Sequence, residues 1–161
     1  MAGMKRLRLY LDTTVWNYPF ADDSPDHQKE TLEFFDKVRL GLFEINLSDA
    51  VMNEVADAPQ PRQEQVLALV REIDPQRLEI TAEIERLAAV YIAKGVLPQR
   101  SGADALHIAY ATVYEMDFLL SWNFRHLANS KRKAKVMAVN IEEGYKFPMV
   151  ITTPLEVLDA E

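Results

Sequence analysis

The chain has 161 residues, of which 48% are hydrophobic and 27% charged, with a formal net charge of -7 and no cysteine. That length suits one domain with a proper core and is too short for two. The missing cysteines exclude disulfides and thiolate metal sites, and the acidic balance argues against binding nucleic acid through net charge alone. No run has the length and apolarity of a transmembrane helix, and no basic-then-apolar leader opens the chain, so the expectation is a cytoplasmic protein with no membrane role.

Residues 6–11 alternate charged and apolar side chains and read as a first strand, ending on Tyr10-Leu11 just before Asp12. Residues 25–40 carry Leu32, Phe34, Phe35 and Val38 at helical intervals. A second strand is predicted over 43–47, then a helix from Ser48 to about Ala56 by its capping chemistry. Pro59 and Pro61 interrupt, and a helix resumes over 63–73 with Val66, Leu67 and Val70 inward. Asp74-Pro75 marks a turn, 78–80 a short strand, and 81–94 a helix stopping at Gly95. A loop over 97–102 leads to a helix over 103–115, and strands are predicted over 118–121 and 149–151. Between the last two strands the chain turns basic and helix-like. Strands alternating with helices, without repeat or linker, predict one α/β domain over residues 1–161: three layers around a mainly parallel sheet.

Ligands of such sheets gather outside the carboxyl ends of the strands. Four polar residues fall there or at the adjoining helix starts: Asp12 after "LYL", Glu54 in "DAVMNEV", Asp104 in "ADALHIAYA" and Asn123 closing "FLLSWN". Each also has a structural explanation. Asp12 suits a helix start or Asx-turn, Glu54 suits the early turns of a helix, Asp104 completes an S-x-x-D capping box with Ser101, and Asn123 suits the cap of the next helix. Taken together, three carboxylates converging in a cleft would repel one another, a cost that a bound cation removes. Oxygen ligands without a histidine- or cysteine-rich motif point to Mg²⁺ or Mn²⁺, which can polarise a phosphodiester and activate water.

From Phe118 to Ile141 there is no acidic residue, while Arg125, Lys131, Arg132, Lys133 and Lys135 are cationic. This stretch is either a solvated basic helix or a landing strip for phosphates on an otherwise acidic molecule. His107, three positions after Asp104, reads as a packed histidine, and His27 and His126 have no ligand spacing. Trp16, Tyr18, Phe20 and Trp122 suit either base stacking or the core, and Asn17 is a polar cleft candidate.

These motifs, in this order, resemble those of PIN-domain proteins, the family that includes the VapC-type toxin ribonucleases of toxin–antitoxin pairs. "YLDTTVWN", "LSDAVMNEV", "GADALHIAYA", "FLLSWNFRHL" and "VITTPLEVL" are similar to its successive motifs and span nearly the whole chain. The resemblance implies an α/β/α sandwich and a Mg²⁺- or Mn²⁺-dependent endoribonuclease in which metal-activated water leaves a 5′-phosphate and a 3′-hydroxyl. It implies Asp12 and Asp104 as metal ligands, Glu54 as a ligand or a base, and Thr13 and Ser121 as supporting hydroxyls. It also implies a homodimer, an RNA substrate and a small antitoxin partner, for which the apolar positions of 28–40 and 81–94 offer surfaces. Asn123 departs from the pattern, which often has Asp there, and so removes a negative charge from any second metal position. Asp117, at the opposite end of the same strand, does not replace it. Two other readings remain: a catalytically degenerate member that binds an antitoxin-like partner or RNA, and a metal-dependent phosphohydrolase or DNA nuclease on another acidic α/β scaffold. No glycine-rich phosphate loop supports a P-loop mechanism.

Overall fold

A computed structural model describes residues 5–123, 127 and 129–159. Five strands, β1 (Leu7–Leu11), β2 (Phe43–Ser48), β3 (Gln76–Leu78), β4 (Phe118–Leu120) and β5 (Val150–Thr152), form one sheet in the order β3-β2-β1-β4-β5. Every pairing is parallel. Among the described residues the eight α-helices are α1 (Thr13–Asn17), α2 (Pro25–Arg39), α3 (Asp49–Ala56), α4 (Arg62–Ile73), α5 (Ala82–Ala93), α6 (Gly102–Val113), α7 (Ser130–Glu142) and α8 (Pro154–Asp159). This is the predicted three-layer α/β/α sandwich, and its sheet is wholly rather than mainly parallel.

The middle strand shows why the sheet must be covered. Leu9, Tyr10 and Leu11 are all fully buried, as parallel strands buried on both faces require. The core runs from these residues to Phe34 and Phe35 of α2, Val51 and Val55 of α3, Leu87 and Tyr91 of α5 and Ile108 of α6. Local chemistry sets the helix starts. Ser48 Oγ accepts from Val51 N at 3.2 Å, Thr81 Oγ1 from Ile84 N at 3.2 Å and Asn129 Oδ1 from Arg132 N at 2.8 Å. The last of these corrects the expected cap: Asn129, not Asn123, starts the basic helix.

Two further expectations shift. The strand predicted over 78–80 lies at Gln76–Leu78, where it pairs with the end of β2. The Ser101–Asp104 capping box does not form, because a 3₁₀ turn over Gln99–Ser101 leaves Ser101 without a side-chain cap bond. No helix among the described residues is long and apolar enough to cross a membrane.

The strand order positions the site. From β1 the chain moves outward through β2 to β3, then returns to the other side of β1 for β4 and β5. The strand order therefore reverses between β1 and β4, and the carboxyl end of the sheet at such a switch point is where α/β folds form their ligand crevice.

Candidate active site

Asp12 directly follows β1 beside that crevice and is 2% exposed. Its backbone is pinned by a bond from Asp12 N to Leu120 O at 3.1 Å. Its side chain caps α1, accepting from Val15 N at 3.3 Å and from Thr14 Oγ1 at 2.5 Å. The Thr14 hydroxyl in turn accepts from Trp122 N at 2.9 Å, so one threonine ties Asp12 to the end of β4. Burial pushes the Asp12 carboxyl above its ordinary pKa, and the charge of His107 with hydrogen bonding from Ser121 and Thr14 offsets only part of that. Asp12 is thus both the cap its position suggests and a carboxylate whose charge is under-compensated.

Glu54 projects from α3 and Asp104 opens α6, with His107 one turn further along α6. His107 Nε2 lies 2.8 Å from Glu54 Oε1 and Nδ1 lies 2.7 Å from the Tyr10 hydroxyl. Burial works against a charged imidazole, yet the Glu54 hydrogen bond and the charges of Asp12, Glu54 and Asp104 carry the His107 pKa above its ordinary value. All three acids therefore act on one ring. Burial would raise Glu54, but the hydrogen bond and charge of His107, helped by Thr13, hold its pKa below the ordinary range. Thr13 Oγ1 is shielded from solvent without a partner of regular geometry, and its polar influence falls on Glu54.

Ser121 follows β4, fully buried, and Asn123 lies half-buried beyond it. Asn123 N donates to Ser121 Oγ at 2.9 Å, forming a tight hydroxyl-closed turn at the crevice. The predicted set thus spans the carboxyl ends of β1, β2 and β4, as the topology requires. Arg125 and His126 lie outside the described residues. Lys131, Arg132 and Lys133 form the first turn of α7, a short connection after Asn123, and Lys135 follows in the same helix.

The sequence reading of His107 as a packed histidine and of Ser48 as a helix cap holds in the structure, but it gave neither of them, nor Tyr10 and Thr14, a part at the site. Only His107 had a readable signal, its i+3 spacing from Asp104. Trp16 and Trp122 are buried and so belong to the core rather than to a stacking platform. Asp117 Oδ2 accepts from Arg8 N at 2.8 Å at the far end of the sheet, as its position implied.

Among the described residues, no three His, Cys, Asp or Glu side chains form a group that could hold a metal ion. The donor chemistry nevertheless fits a hard cation. Asp12 presents a desolvated carboxylate whose charge a cation would balance, and Mg²⁺ is commonly held by only one or two carboxylates with water and substrate phosphate. Glu54 is committed to His107 instead.

No protein-family model matches the sequence, and no curated protein matches it. Among solved structures, the fold is similar to a chain in the crystal structure of VapBC2 from Rickettsia felis bound to a DNA fragment from their promoter. That match has a TM-score of 0.54 and 15% sequence identity, covering 91% of this chain and 98% of the other.

Proposed function

We propose that this chain is a Mg²⁺- or Mn²⁺-dependent endoribonuclease acting as the toxin of a toxin–antitoxin pair. The observation that carries the reading is Asp12, a solvent-excluded carboxylate at the switch point of a parallel sheet, with Glu54 and Asp104 close enough to act on the same histidine. Structural proteins balance buried charges, and a surplus of carboxylate in a crevice is the arrangement a divalent cation completes. Asp12 and Asp104 would hold the ion. When bound, it would supply Lewis acidity toward a phosphodiester and a more acidic water. Ser121 and Thr14 keep the Asp12 carboxylate in one orientation.

The first turn of α7 supports an anionic substrate. Lys131, Arg132 and Lys133 sit where the helix dipole disfavours cations. A phosphate backbone beside them would relieve that arrangement. The similarity to a chain of the VapBC2 structure supports an antitoxin partner. On α2, Leu32 remains exposed, as does Leu40 at its C-terminal cap, and Leu32 lines a groove of about 370 Å³ with Phe20, Phe35 and Leu69. On α5 the apolar residues Ile84, Leu87, Ala88 and Tyr91 are instead buried, which makes that stripe core.

The test is cleavage of single-stranded RNA by purified protein with Mn²⁺, with Mg²⁺ and with EDTA. Metal-dependent cleavage that vanishes in Asp104→Asn, with the fold intact by circular dichroism, is the expected result. Equal cleavage by wild type and Asp104→Asn would overturn it.

The commitment of Glu54 to His107 favours a second reading, a catalytically silent module that binds an antitoxin-like partner. Calorimetric titration separates the two, since the silent module takes up no Mn²⁺ at millimolar concentration.

A further inference from the structure

Behind the acidic crevice runs a continuous line of polar groups. Val51 N donates to Ser48 Oγ at 3.2 Å, and Ser48 Oγ lies 2.7 Å from the Tyr10 hydroxyl. That hydroxyl lies 2.7 Å from His107 Nδ1, and His107 Nε2 lies 2.8 Å from Glu54 Oε1. Ser48, Tyr10 and His107 are buried, whereas the Glu54 side chain is 39% exposed. The line starts at the cap of α3, crosses β1 and α6, and returns to α3. With the ring proton on Nε2 alone and Nδ1 bare, every member donates in one direction: serine to tyrosine, tyrosine to imidazole, imidazole to carboxylate.

Packing alone does not call for this line. Phenylalanine and leucine would fill the same volume without buried polar atoms, and a buried network is acceptable only when all its members are satisfied. Its members also stand next to the acids in each element. Tyr10 precedes Asp12 by two residues on an extended chain, and His107 follows Asp104 by three on a helix, so each pair shares a face. Glu54 is held directly. The line therefore fastens together the three elements that carry Asp12, Glu54 and Asp104.

We propose that His107 and Tyr10 are positioning residues. His107, itself held by Tyr10, keeps Glu54 by one carboxylate oxygen, so that with an ion held by Asp12 and Asp104 it would be placed to orient water rather than to serve as a further ligand. The inference rests on the metal-dependent nuclease reading and deepens it. Breaking the brace then has two opposed effects. A released Glu54 would be free to serve as a further ligand, which would tighten metal binding. The same release leaves the water unoriented, so turnover falls.

The experiment compares wild type, His107→Leu, His107→Gln and Tyr10→Phe, each checked for folding by circular dichroism. Mn²⁺ affinity is read by electron paramagnetic resonance, and kcat and KM are read on single-stranded RNA. In His107→Leu, kcat falls about 10- to 100-fold, the usual range for losing a partner that orients a metal-site group. Its KM stays within about twofold, and Mn²⁺ binds several-fold more tightly, roughly 1 kcal/mol by the affinity scale. His107→Gln, which can still donate to Glu54, recovers most of both, and Tyr10→Phe falls between. Adding Glu54→Gln to His107→Leu removes the gain in Mn²⁺ affinity. Unchanged or weaker Mn²⁺ binding in folded His107→Leu overturns the brace and leaves the nuclease reading standing. Mn²⁺ binding that follows the expected pattern, in a wild type that cleaves no RNA, overturns the nuclease reading and leaves the brace. A wild type that binds no Mn²⁺ overturns both.

Discussion

The two ends of the sheet handle charge in opposite ways. At the amino end, Arg8 is matched group by group. Its Nε donates to Glu44 Oε2 at 3.0 Å, its Nη1 to Tyr114 O at 2.9 Å and Glu115 O at 3.2 Å, and its backbone N to Asp117 Oδ2. Asp117 N returns a bond to Arg8 O at 2.9 Å, clamping β1 to the start of β4. At the carboxyl end, three acids face one histidine, and Asp12 sits in low dielectric with its charge only partly offset. Balanced charge marks the end that holds the fold together. Unbalanced charge marks the end at which the proposed function places its ligand.

Replacing the key acid breaks this contrast most severely. Asp12→Asn is expected to cut metal-dependent RNA cleavage by about 10²-fold or more, the scale of losing one electrostatic contact to a reacting group. The same change should stabilise the metal-free protein, because a neutral amide still caps α1 without a desolvated charge. Asp12 has a raised folded-state pKa, so its native environment favours the protonated acid. That advantage is present at low pH and is lost as pH rises through the folded value. The variant should therefore gain on wild type as pH rises, with a melting temperature higher at neutral pH by about 2–4 °C, or about 1 kcal/mol. Thermal melts across pH in EDTA decide it, and a lower melting temperature for the variant at neutral pH would show that the Asp12 charge is already balanced.

Arg8→Ala should do the reverse. Loss of charge-assisted bonds to Glu44 and two carbonyls is expected to cost about 2 kcal/mol in denaturant unfolding. RNA cleavage per folded molecule should not change, because nothing at that end touches the crevice. A parallel loss of turnover would mean that the two ends are mechanically coupled.

A smaller effect tests the amino end by pH. Burial works against the Glu44 carboxylate, but hydrogen bonds from Arg8 and Asn46 hold its pKa below the ordinary range. It contributes stability above its unfolded pKa and loses it as pH falls through the lowered folded value. Glu44 is partly exposed and screened, so the contribution is under about 1 kcal/mol. Glu44→Gln should flatten the acid limb of the stability profile by that amount and leave the neutral-to-basic limb parallel to wild type.

How much of this was legible beforehand depends on the range of the interaction. The sheet, the helix periods and Asp12 itself are written locally, in apolar runs ending on a polar residue. The edge strand at Gln76–Leu78 was displaced in the prediction because three residues carry too little alternation to fix a register that β2 supplies. Thr13 comes from the motif resemblance and bears on Glu54, whereas Thr14, whose hydroxyl reaches Asp12 Oδ1, is brought there by the first turn of α1 and has no motif to announce it. The capping box was a true motif in a place where the backbone turns too tightly to use it. His107 was legible as a packed histidine, but its partners were not, because Tyr10 and Glu54 are 97 and 53 residues away.

Asn123 gives the finest adjustment of the contrast. Its backbone closes the turn on Ser121, and Ser121 bears on Asp12, so this position adjoins the carboxylate surplus without adding to it. An aspartate here would place a further negative charge beside a carboxylate that burial already disfavours. Without metal, Asn123→Asp should lower the melting temperature slightly. With Mn²⁺, the added charge should tighten binding about two- to fivefold, corresponding to about 0.5–1 kcal/mol, since the position is half-exposed and partly screened. Calorimetry of the variant with and without the Asp12→Asn change separates the two contributions. Tighter binding that survives loss of Asp12 would mean that position 123 builds a site of its own. Unchanged binding in both backgrounds would mean that Asn123 shapes the turn and nothing more, and the single surplus at Asp12 would then account for the whole electrostatic character of the crevice.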